Sequence, residues 1–424
     1  MSQKSSRSGA LIIAIGAIAY ISAVTQRSTM GIASLVATDR FQTTAEQLSM
    51  LAVAQLIVYA AMQIPVGLLL DRWGPRRLLS IGALSMALGQ YVVAFAPSLG
   101  LAVSGRMLVG FGDAFTFISM IRLINGWYSG KRASQLQQWL GNGGQVGQIV
   151  SAIPFSILLH AAGWQVSFTV WATIALIIGT LGLILIVDEP IKHAHDVGSL
   201  REQLGLLRKS VRSSSTRLAF WVHFSTQSST TVIVLLWGVP FLEQGEGLSK
   251  TAVTWVLTSF VALGFLGGLA FGQLCAHRPD LRRPVLSVTA GAMLTSWVAL
   301  LAYPGPAPAW LICAWVFFVS TNAPASMVAF DYTREFVPKR ELGAANGFVN
   351  IGGFLATFTM MFLIGVVLDV FYVAYGESRG LPLYSLEGFR LAFISVPLII
   401  GSGFLMYLKN EKITRNLHQL GLKP

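Results

Sequence analysis

The chain has 424 residues, of which 54% are hydrophobic and only 11% are charged, and its formal net charge is +12. A soluble globular domain carries about 25% charged residues, so this composition excludes an ordinary soluble protein. The two cysteines, Cys275 and Cys313, both fall inside apolar runs. That placement excludes a disulfide framework and a cysteine-based metal site.

Runs of about 20 apolar residues recur along the whole chain, and each of them predicts a helix that crosses a membrane. We therefore predict an all-α membrane protein with twelve transmembrane helices. The first run has no small-residue cleavage site after a short apolar core, so we expect it to be retained and not removed as a signal peptide. In chain order the predicted spans are 10–35, 48–70, 78–97, 101–125, 136–159, 166–187, 217–242, 251–275, 285–303, 309–333, 344–371 and 389–408.

The longest hydrophilic stretch lies between spans six and seven and divides the chain into two halves of similar length. Each half contains six of the predicted helices, so we expect two six-helix bundles. The predicted segments are an N-terminal half (1–187), a cytoplasmic linker (188–216), a C-terminal half (217–408) and a cytoplasmic tail (409–424).

The two halves also resemble each other in sequence. The stretch GNGGQVGQIV (141–150) in span five aligns with ANGFVNIGGF (345–354) in span eleven. Many secondary transporters are built from two such pseudo-symmetric halves, with the binding site between them near the middle of the membrane. The repeat therefore favours a transporter over an enzyme or a structural membrane protein.

Basic residues predict the orientation, because Lys and Arg accumulate on the cytoplasmic side of a membrane. With the N-terminus inside, the cytoplasmic segments hold 23 of the 30 Lys and Arg residues, and the outer segments hold only four. We therefore expect both termini in the cytoplasm and the protein in the cytoplasmic (inner) cell membrane. The net charge is explained by topology, so we expect no nucleic-acid partner.

The turn between spans two and three, GLLLDRWGPRR (67–77), resembles the G-x-x-x-D-R-x-G-x-R-R signature of the major facilitator superfamily. A second stretch, SGRMLVGFGDA (104–114), resembles the fourth-helix motif of the same family. The resemblance covers essentially the whole chain and is nearest to the prokaryotic organic-anion and nitrate branches. It implies that spans one, four, seven and ten line a central cavity, which opens alternately to the inside and to the outside.

Several charged residues at the inner ends of the spans are predicted to form a conformational latch. Asp71 ends span two, where a carboxylate can meet a helix N-terminus or an arginine, and we expect Arg122 to pair with it or to reach the inner headgroups. The alternative is a basic turn that only fixes topology. The predicted latch residues are Gly67, Asp71, Arg72, Gly74, Arg76, Arg77, Arg122, Asp331 and Arg334.

Three charged residues lie deep inside spans: Arg27, Arg106 and Asp113. A charge at that depth costs about 2.5–3.5 kcal/mol on insertion scales, which argues for a functional or paired role. We hypothesise that Arg27, with or without Arg106, holds the anionic group of a substrate, because the guanidinium fork matches a carboxylate or phosphate. The alternative is that Arg27 is fixed to Asp113 or to helix carbonyl groups as a structural pair.

Asp113 is the predicted proton-coupling residue. It lies two helical turns after Arg106 on the same face of span four. Burial disfavours its charged form, whereas a nearby arginine favours it, so substrate binding to that arginine would change the protonation of Asp113. A fixed ion pair that never titrates is the alternative, and sodium coupling through Asp113 also stays open.

Uncharged residues complete the predicted substrate site. His223 lies near the inner end of span seven and ranks below Asp113 as a proton carrier. For each of the others, hydrogen bonding between helices is an alternative role. The additional substrate-binding candidates are Tyr59, Gln63, Gln227, Thr231, Trp237 and Asn322.

The sequence contains no phosphate-binding GxxxxGK[ST] loop and no metal-ligand cluster, so we expect no cofactor, no metal and no enzymatic activity. We predict a secondary active transporter that moves a small organic anion by alternating access, coupled to protons. Two alternatives stay open: a proton-driven exporter of amphipathic or lipid-linked compounds, and a transporter-like solute receptor. The expected partners are an anionic small molecule, the proton and the lipid bilayer, and we expect a monomer.

Overall fold

The computed structural model describes residues 3–128, 130–188, 211–338 and 342–420, together with residues 202, 205, 208 and 209. Throughout this part of the chain, helices are joined by short turns, and no strand occurs in it. The prediction of an all-α protein is confirmed. The α-helices are α1 (Gln3–Ile32), α2 (Ser34–Phe41), α3 (Ala45–Phe95), α4 (Leu99–Trp127), α5 (Gly130–Val150), α6 (Ser156–Leu185), α7 (Ser214–Val232), α8 (Gly238–Pro240), α9 (Lys250–His277), α10 (Arg282–Ala302), α11 (Ala309–Ala325), α12 (Val328–Phe336), α13 (Leu342–Phe371), α14 (Leu386–Phe393) and α15 (Ser395–Gln419).

Two of the long helices are broken at a glycine. In α3 the backbone leaves the helical region at Gly74 (φ 74°), between predicted spans two and three. In α6 it does so at Gly163 (φ 77°), between predicted spans five and six. Residues other than glycine rarely adopt a positive φ, so both turns depend on the missing side chain.

Ten helical segments of the described chain are long and apolar enough to cross a membrane. One of them, Gln135–Leu185, contains predicted span five and all but the last two residues of predicted span six. The helix α7, which begins predicted span seven, is not among the ten because its Ser and Thr residues lower its hydropathy. The count of twelve transmembrane helices therefore stays a prediction.

The helices group into two compact units. Unit 1 comprises Met1–Gln42 and Met50–Val197, and unit 2 comprises Thr43–Ser49 and Gly198–Pro424. In unit 1, α1 packs against α4, α5 and α6. In unit 2, α7 packs against α11, α12, α13 and α15. The first helix of each predicted half therefore lies at the centre of its unit.

The repeated glycine-rich stretches make equivalent contacts in the two units. A Cβ atom at Gly147 of α5 would lie 2.6 Å from the carbonyl oxygen of Ile21 in α1. A Cβ atom at Gly352 of α13 would lie 2.8 Å from the carbonyl oxygen of Phe220 in α7. Both contacts bring helix backbones together as small residues do in membrane bundles. Gly147 and Gly352 lie one residue apart in the alignment of the two stretches, so the repeat is matched by a similar packing contact and not by the same position.

Glycines also hold α4 close to both parts of α3. A Cβ atom at Gly82 would lie 2.6 Å from the carbonyl oxygen of Gly112, and one at Gly105 would lie 2.7 Å from that of Gly89. Gly110 faces the carbonyl group of Gln55 with no room for a side chain. These contacts fix the rotation and depth of α4, which carries Arg106 and Asp113.

Replacing Gly112 by alanine is expected to destabilise the protein by about 1–3 kcal/mol, because the new methyl group would meet the backbone of Gly82 and Met86 and force the helices apart. The matched control is Gly100→Ala at the start of the same helix, where no atom lies within 4 Å of the new Cβ. Thermal unfolding of both variants in detergent measures the effect. Equal melting temperatures for the two variants would contradict the close-packing argument.

The first turn of α3 is held by residues that the sequence analysis did not select. The carboxylate of Asp369 in α13 accepts the N–H groups of Ala45 (2.7 Å) and Glu46 (2.8 Å). Thr44 and Gln47 exchange two further hydrogen bonds, both at 3.3 Å, in the reciprocal arrangement of a capping box. The free N–H groups of this helix end are thus satisfied within unit 2. The sequence signal that could have identified Asp369 is that it is an acidic residue inside an apolar run.

Glu246, beyond the end of predicted span seven, gives unit 2 a pH-dependent stability. Its carboxylate is buried and accepts the N–H of Ala307 at 2.6 Å, and burial raises its pKa. The folded protein therefore holds a proton on Glu246 more tightly than the unfolded chain does. The contribution of this group to stability is largest below the ordinary glutamate pKa and is lost as the pH rises through the raised value.

We expect the wild type to lose thermal stability relative to Glu246→Gln as the pH rises from about 4 to about 8, because the amide never becomes charged. Melting temperatures of the two proteins across this range provide the measurement. A difference in melting temperature that does not change with pH would show that Glu246 titrates normally.

Candidate functional site

The central feature of unit 1 is an ion pair between α1 and α4. The Nε of Arg27 donates to Oδ2 of Asp113 at 2.6 Å, and its Nη2 donates to Oδ1 at 2.9 Å. The Asp113 side chain is 1% exposed, whereas that of Arg27 is 17% exposed. The pairing that the sequence left as an alternative is therefore observed. Because it is bidentate, it occupies the same fork that would hold a carboxylate substrate.

Arg106 is placed differently from Arg27, since it is completely buried. Its Nη1 donates to the carbonyl oxygen of Gln26 (3.2 Å) and to Oγ1 of Thr29 (3.3 Å). Its Nη2 donates to the carbonyl oxygen of Arg27 (3.0 Å) and to the side-chain oxygen of Gln55. Arg106 thus fixes the backbone of α1 at the residue that carries the paired guanidinium. Its role as a substrate ligand stays a prediction.

Aromatic residues surround the ion pair. The guanidinium of Arg27 lies 4.9 Å from the ring centroid of Tyr59 in α3, a cation–π contact. Gln63, one turn further along α3, donates to the carbonyl oxygen of Tyr59 at 3.3 Å. On α1, Tyr20 interacts electrostatically with both Arg27 and Asp113, and its ring lies 5.5 Å from that of Phe117. Tyr59 and Gln63 were predicted, whereas Tyr20 was missed.

The charges of this cluster do not cancel. Arg27 and Arg106 are both cationic, since arginine does not deprotonate in proteins, and Asp113 supplies one negative charge. The described acceptors of Arg106 are all neutral oxygens. The cluster therefore carries a net charge of about +1 while Asp113 is ionised. An arrangement of this kind attracts an anion.

Two of the substrate-binding candidates in unit 2 use their donors within the protein. Trp237 is completely buried, and its Nε1 donates to the carbonyl oxygen of Met361 at 3.0 Å. Asn322 is also completely buried, and its Nδ2 donates to the carbonyl oxygen of Thr226 at 3.2 Å. Both contacts join neighbouring helices, which is the alternative role that the sequence allowed.

The remaining candidates of unit 2 follow one face of α7. Thr231 donates to the carbonyl oxygen of Gln227 at 3.0 Å within the same helix. The Oε1 of Gln227 is buried and accepts no hydrogen bond from the described residues. Gly353 of α13 leaves room for Gln227 and for His223, whose ring packs on Phe330 at 5.2 Å. The polar face therefore meets the glycine-rich helix of the repeat.

At the turn between spans two and three, the acceptor is an aspartate that the sequence analysis did not select. Asp188, just beyond α6, accepts the N–H of Arg76 at 2.8 Å. A Cβ atom at Gly74 would lie 2.9 Å from Oδ2 of the same carboxylate. The guanidinium Nε of Arg76 donates to the carbonyl oxygen of Leu183 at 2.8 Å. Within unit 1, this turn is thus tied to the end of α6.

The other predicted latch residues of unit 1 differ in how far their side chains are exposed to solvent. Arg72 and Arg77 are exposed, and Arg122 is partly buried. The surroundings of Gly67 and the side chain of Asp71 lie outside the described part of the structure, so the predicted pairing of Arg122 with Asp71 stays a prediction.

In unit 2, Asp331 and Arg334 lie together at the end of α12 and form an ion pair. Arg282, at the start of α10, approaches Asp331 at 4.0 Å and pairs with Glu335. These four residues form a charged network that joins α10 to α12. Glu335 was missed, although its position four residues after Asp331 places it on the same helix face.

The described residues contain no group of three His, Cys, Asp or Glu side chains that could hold a metal ion. A family model for the Major Facilitator Superfamily matches residues 16–361. The chain belongs to the Major Facilitator Superfamily. It is therefore a multi-pass membrane protein and a secondary transporter, not an enzyme.

Relatives of this superfamily member include the "Probable sulfoacetate transporter SauU" of Cupriavidus necator, 21% identical over 383 residues that cover 85% of this chain and 87% of that protein. The "Probable galactarate/D-glucarate transporter GarP" of Escherichia coli is 23% identical over 382 residues, with 81% and 84% coverage. A solved bacterial homologue of the human lysosomal transporter Spinster, inward-facing and unoccupied, matches with a TM-score of 0.76 and 13% identity over 97% of this chain and 98% of that one. At that identity the structural match shows the fold alone.

Proposed function

We propose that this superfamily member moves a small organic anion across the cytoplasmic membrane, with Arg27 as the anion ligand and Asp113 as the proton-carrying group. The observation that carries the proposal is the net positive charge of the buried cluster formed by Arg27, Arg106 and Asp113. The names of two relatives, which refer to sulfoacetate and to galactarate or glucarate, support an anionic cargo.

Competition for one guanidinium couples the anion to the proton. While Asp113 is ionised, it accepts hydrogen bonds from Nε and Nη2 of Arg27, which form one of the bidentate edges of the guanidinium, and it neutralises the charge of that group. When Asp113 is protonated, it loses most of its attraction for Arg27, and the fork can bind a carboxylate or sulfonate instead. Substrate and proton therefore enter the site together. This exchange is local to unit 1 and needs no movement of Arg106, which stays bound to helix oxygens.

The surroundings of Arg27 support its role as the mobile partner. Its side chain is 17% exposed, so it is the more accessible member of the pair. The ring of Tyr59 supports the guanidinium from one face and leaves its edge for hydrogen bonds. Tyr59 and Gln63 are further substrate ligands in this proposal, and the substrate-binding roles of Gln227 and Thr231 on α7 stay predictions.

The orientation of the chain in the membrane and the change between its two transport states are part of the same proposal. The distribution of Lys and Arg supports cytoplasmic termini, an inner-membrane location and two six-helix halves joined by the 188–216 linker. The charged clusters around Asp188 and Asp331 would hold the cytoplasmic helix ends in one state and release them in the other. We propose that a monomer carries out the complete cycle.

The test is transport by the purified full-length protein in liposomes with an imposed pH gradient. A thermal-shift screen of organic acids, phosphates and lipophilic compounds first selects the ligand class. Radiolabelled hits are then followed in both directions. Uptake of an organic acid driven by an inward proton gradient supports the proposal. Stabilisation only by lipophilic cations, or proton-driven efflux of amphipathic compounds, would establish the exporter alternative instead.

A further inference from the structure

The charge balance of the cluster in unit 1 changes when Asp113 takes up a proton. Arg27 and Arg106 then remain as two cations without an ionised partner among the described residues. The first would be free to bind a ligand directly. The second cannot leave its position, because four neutral oxygens of α1 and α3 hold it. The loaded site therefore presents one mobile positive charge and one fixed positive charge.

We infer that the cargo is a dianion, such as a dicarboxylate or a sulfonate with a carboxylate, and that a monoanion with the same skeleton binds more weakly. This inference rests on the proposed function, since it specifies the charge of the substrate at the same site. One anionic group replaces Asp113 on Arg27. The second balances the fixed charge of Arg106 through the weakly screening protein interior.

The buried position of Arg106 supports this second, indirect interaction. It is 0% exposed, and its Nε donates to no acceptor among the described residues. A buried ion is stabilised by an opposite charge even without direct contact, because the surrounding dielectric is low. The neutral oxygens around Arg106 orient it, but they do not remove its charge. The second negative charge of a dianion would offset the positive charge of Arg106, which these neutral oxygens do not neutralise.

The groups that face Asp113 determine how the preference for a dianion depends on the charge at position 113. They are Arg27 and Tyr20 from α1, Tyr59 from α3 and Arg106 from its own helix. The tyrosines stay neutral over the working range, since the ordinary pKa of a tyrosine is about 10. In the proposed function, protonation of Asp113 is therefore the event that exposes both positive charges, and the preference for a dianion should be largest when position 113 carries no charge.

The experiment compares matched acids that differ in one negative charge: galactarate with galactonate, and succinate with succinamate. Binding to the full-length protein and to Asp113→Asn in detergent is measured by thermal shift and by isothermal titration at neutral pH, where both acidic groups of a dianion stay ionised. We expect the dianion of a pair to bind Asp113→Asn at least about tenfold more tightly than the monoanion does, which corresponds to about 1.4 kcal/mol. In the wild type, where the Asp113 carboxylate adds a negative charge to the cluster, the difference should be smaller.

Substitutions distinguish the contribution of Arg106 to the preference for a dianion from the direct binding of an anion by Arg27. Arg106→Gln should reduce the preference to within about twofold while the monoanion still binds, and Arg278→Gln, a surface arginine that is 63% exposed, should leave it unchanged. If Arg106→Gln does not fold, the difference in the preference for the dianion between the wild type and Asp113→Asn still decides.

Equal or tighter binding of the monoanion would overturn the inference and leave anion transport intact. The inference also fails if neither pair binds while another organic monoanion does. Failure of every organic acid to bind and to be transported would instead overturn the proposed function itself. The two failures are therefore distinguishable.

Discussion

Replacing Arg27 by methionine is expected to lower organic-anion uptake by about 100-fold, because the substrate loses two charge-assisted hydrogen bonds. The same change leaves Asp113 buried and unpaired, which costs about 3–5 kcal/mol for a fully buried pair and less here, since Arg27 is partly exposed. Initial uptake rates in liposomes, normalised to the amount of folded protein, provide the measurement.

Two matched variants separate the functional role of Arg27 from its structural role. Arg27→Lys keeps the charge but loses the planar fork, so we expect weak transport from a stable protein. In the double variant Arg27→Met with Asp113→Asn both members of the ion pair become neutral, and Arg106 keeps its hydrogen bonds to neutral oxygens, so stability should recover while transport does not. Recovery of transport in the double variant would show that the ion pair only holds α1 and α4 together.

Replacing Asp113 by asparagine is expected to abolish uphill accumulation while substrate exchange across the membrane continues. Asparagine is neutral at every pH, so it resembles protonated Asp113 and leaves the fork of Arg27 available to the substrate. The variant should bind substrate with an affinity that no longer depends on pH. Accumulation under a proton gradient and counterflow without a gradient measure the two properties separately.

Asp113→Glu is the control, because it keeps a titratable carboxylate at the end of a longer side chain. We expect it to retain part of the proton-driven accumulation. If Asp113→Asn still accumulates substrate against its gradient, another group carries the proton, and His223 is the next candidate. If its exchange activity is lost as well, the residue is needed for binding and not only for coupling.

The sequence predicted the features of the fold that depend on local composition. Apolar runs marked some helices to within a few residues, as in α4, where the predicted span 101–125 lies inside Leu99–Trp127. The helices α1 and α15 extend further, to Gln3 and Gln419, than the predicted spans 10–35 and 389–408. Helical periodicity placed Arg106 and Asp113 on one face. Family motifs and the internal repeat identified the superfamily, which the match over residues 16–361 confirms.

Contacts between distant parts of the chain could not be predicted in the same way. The partner of Arg27 was left open, since depth in a span does not specify which neighbour a side chain meets. Two of the four acceptors of Arg106 are backbone carbonyl oxygens, which every residue type provides. Asp188 and Asp369 each meet a helix N-terminus far away in the sequence, and only the folded chain brings them together.

The hydrogen bonds of Arg106 hold helix α1 in place, whereas other residues of the proposed site contact the substrate. Because Arg106 donates to main-chain oxygens of α1, the backbone of that helix should keep its position when the side chain at position 27 is replaced. Selectivity could then change, in evolution or by design, through replacements at positions 27, 59 and 63, provided that position 113 changes with position 27 so that no carboxylate is left buried and unpaired. A designer seeking a carrier for a neutral solute would accordingly preserve Arg106 and replace only these four residues.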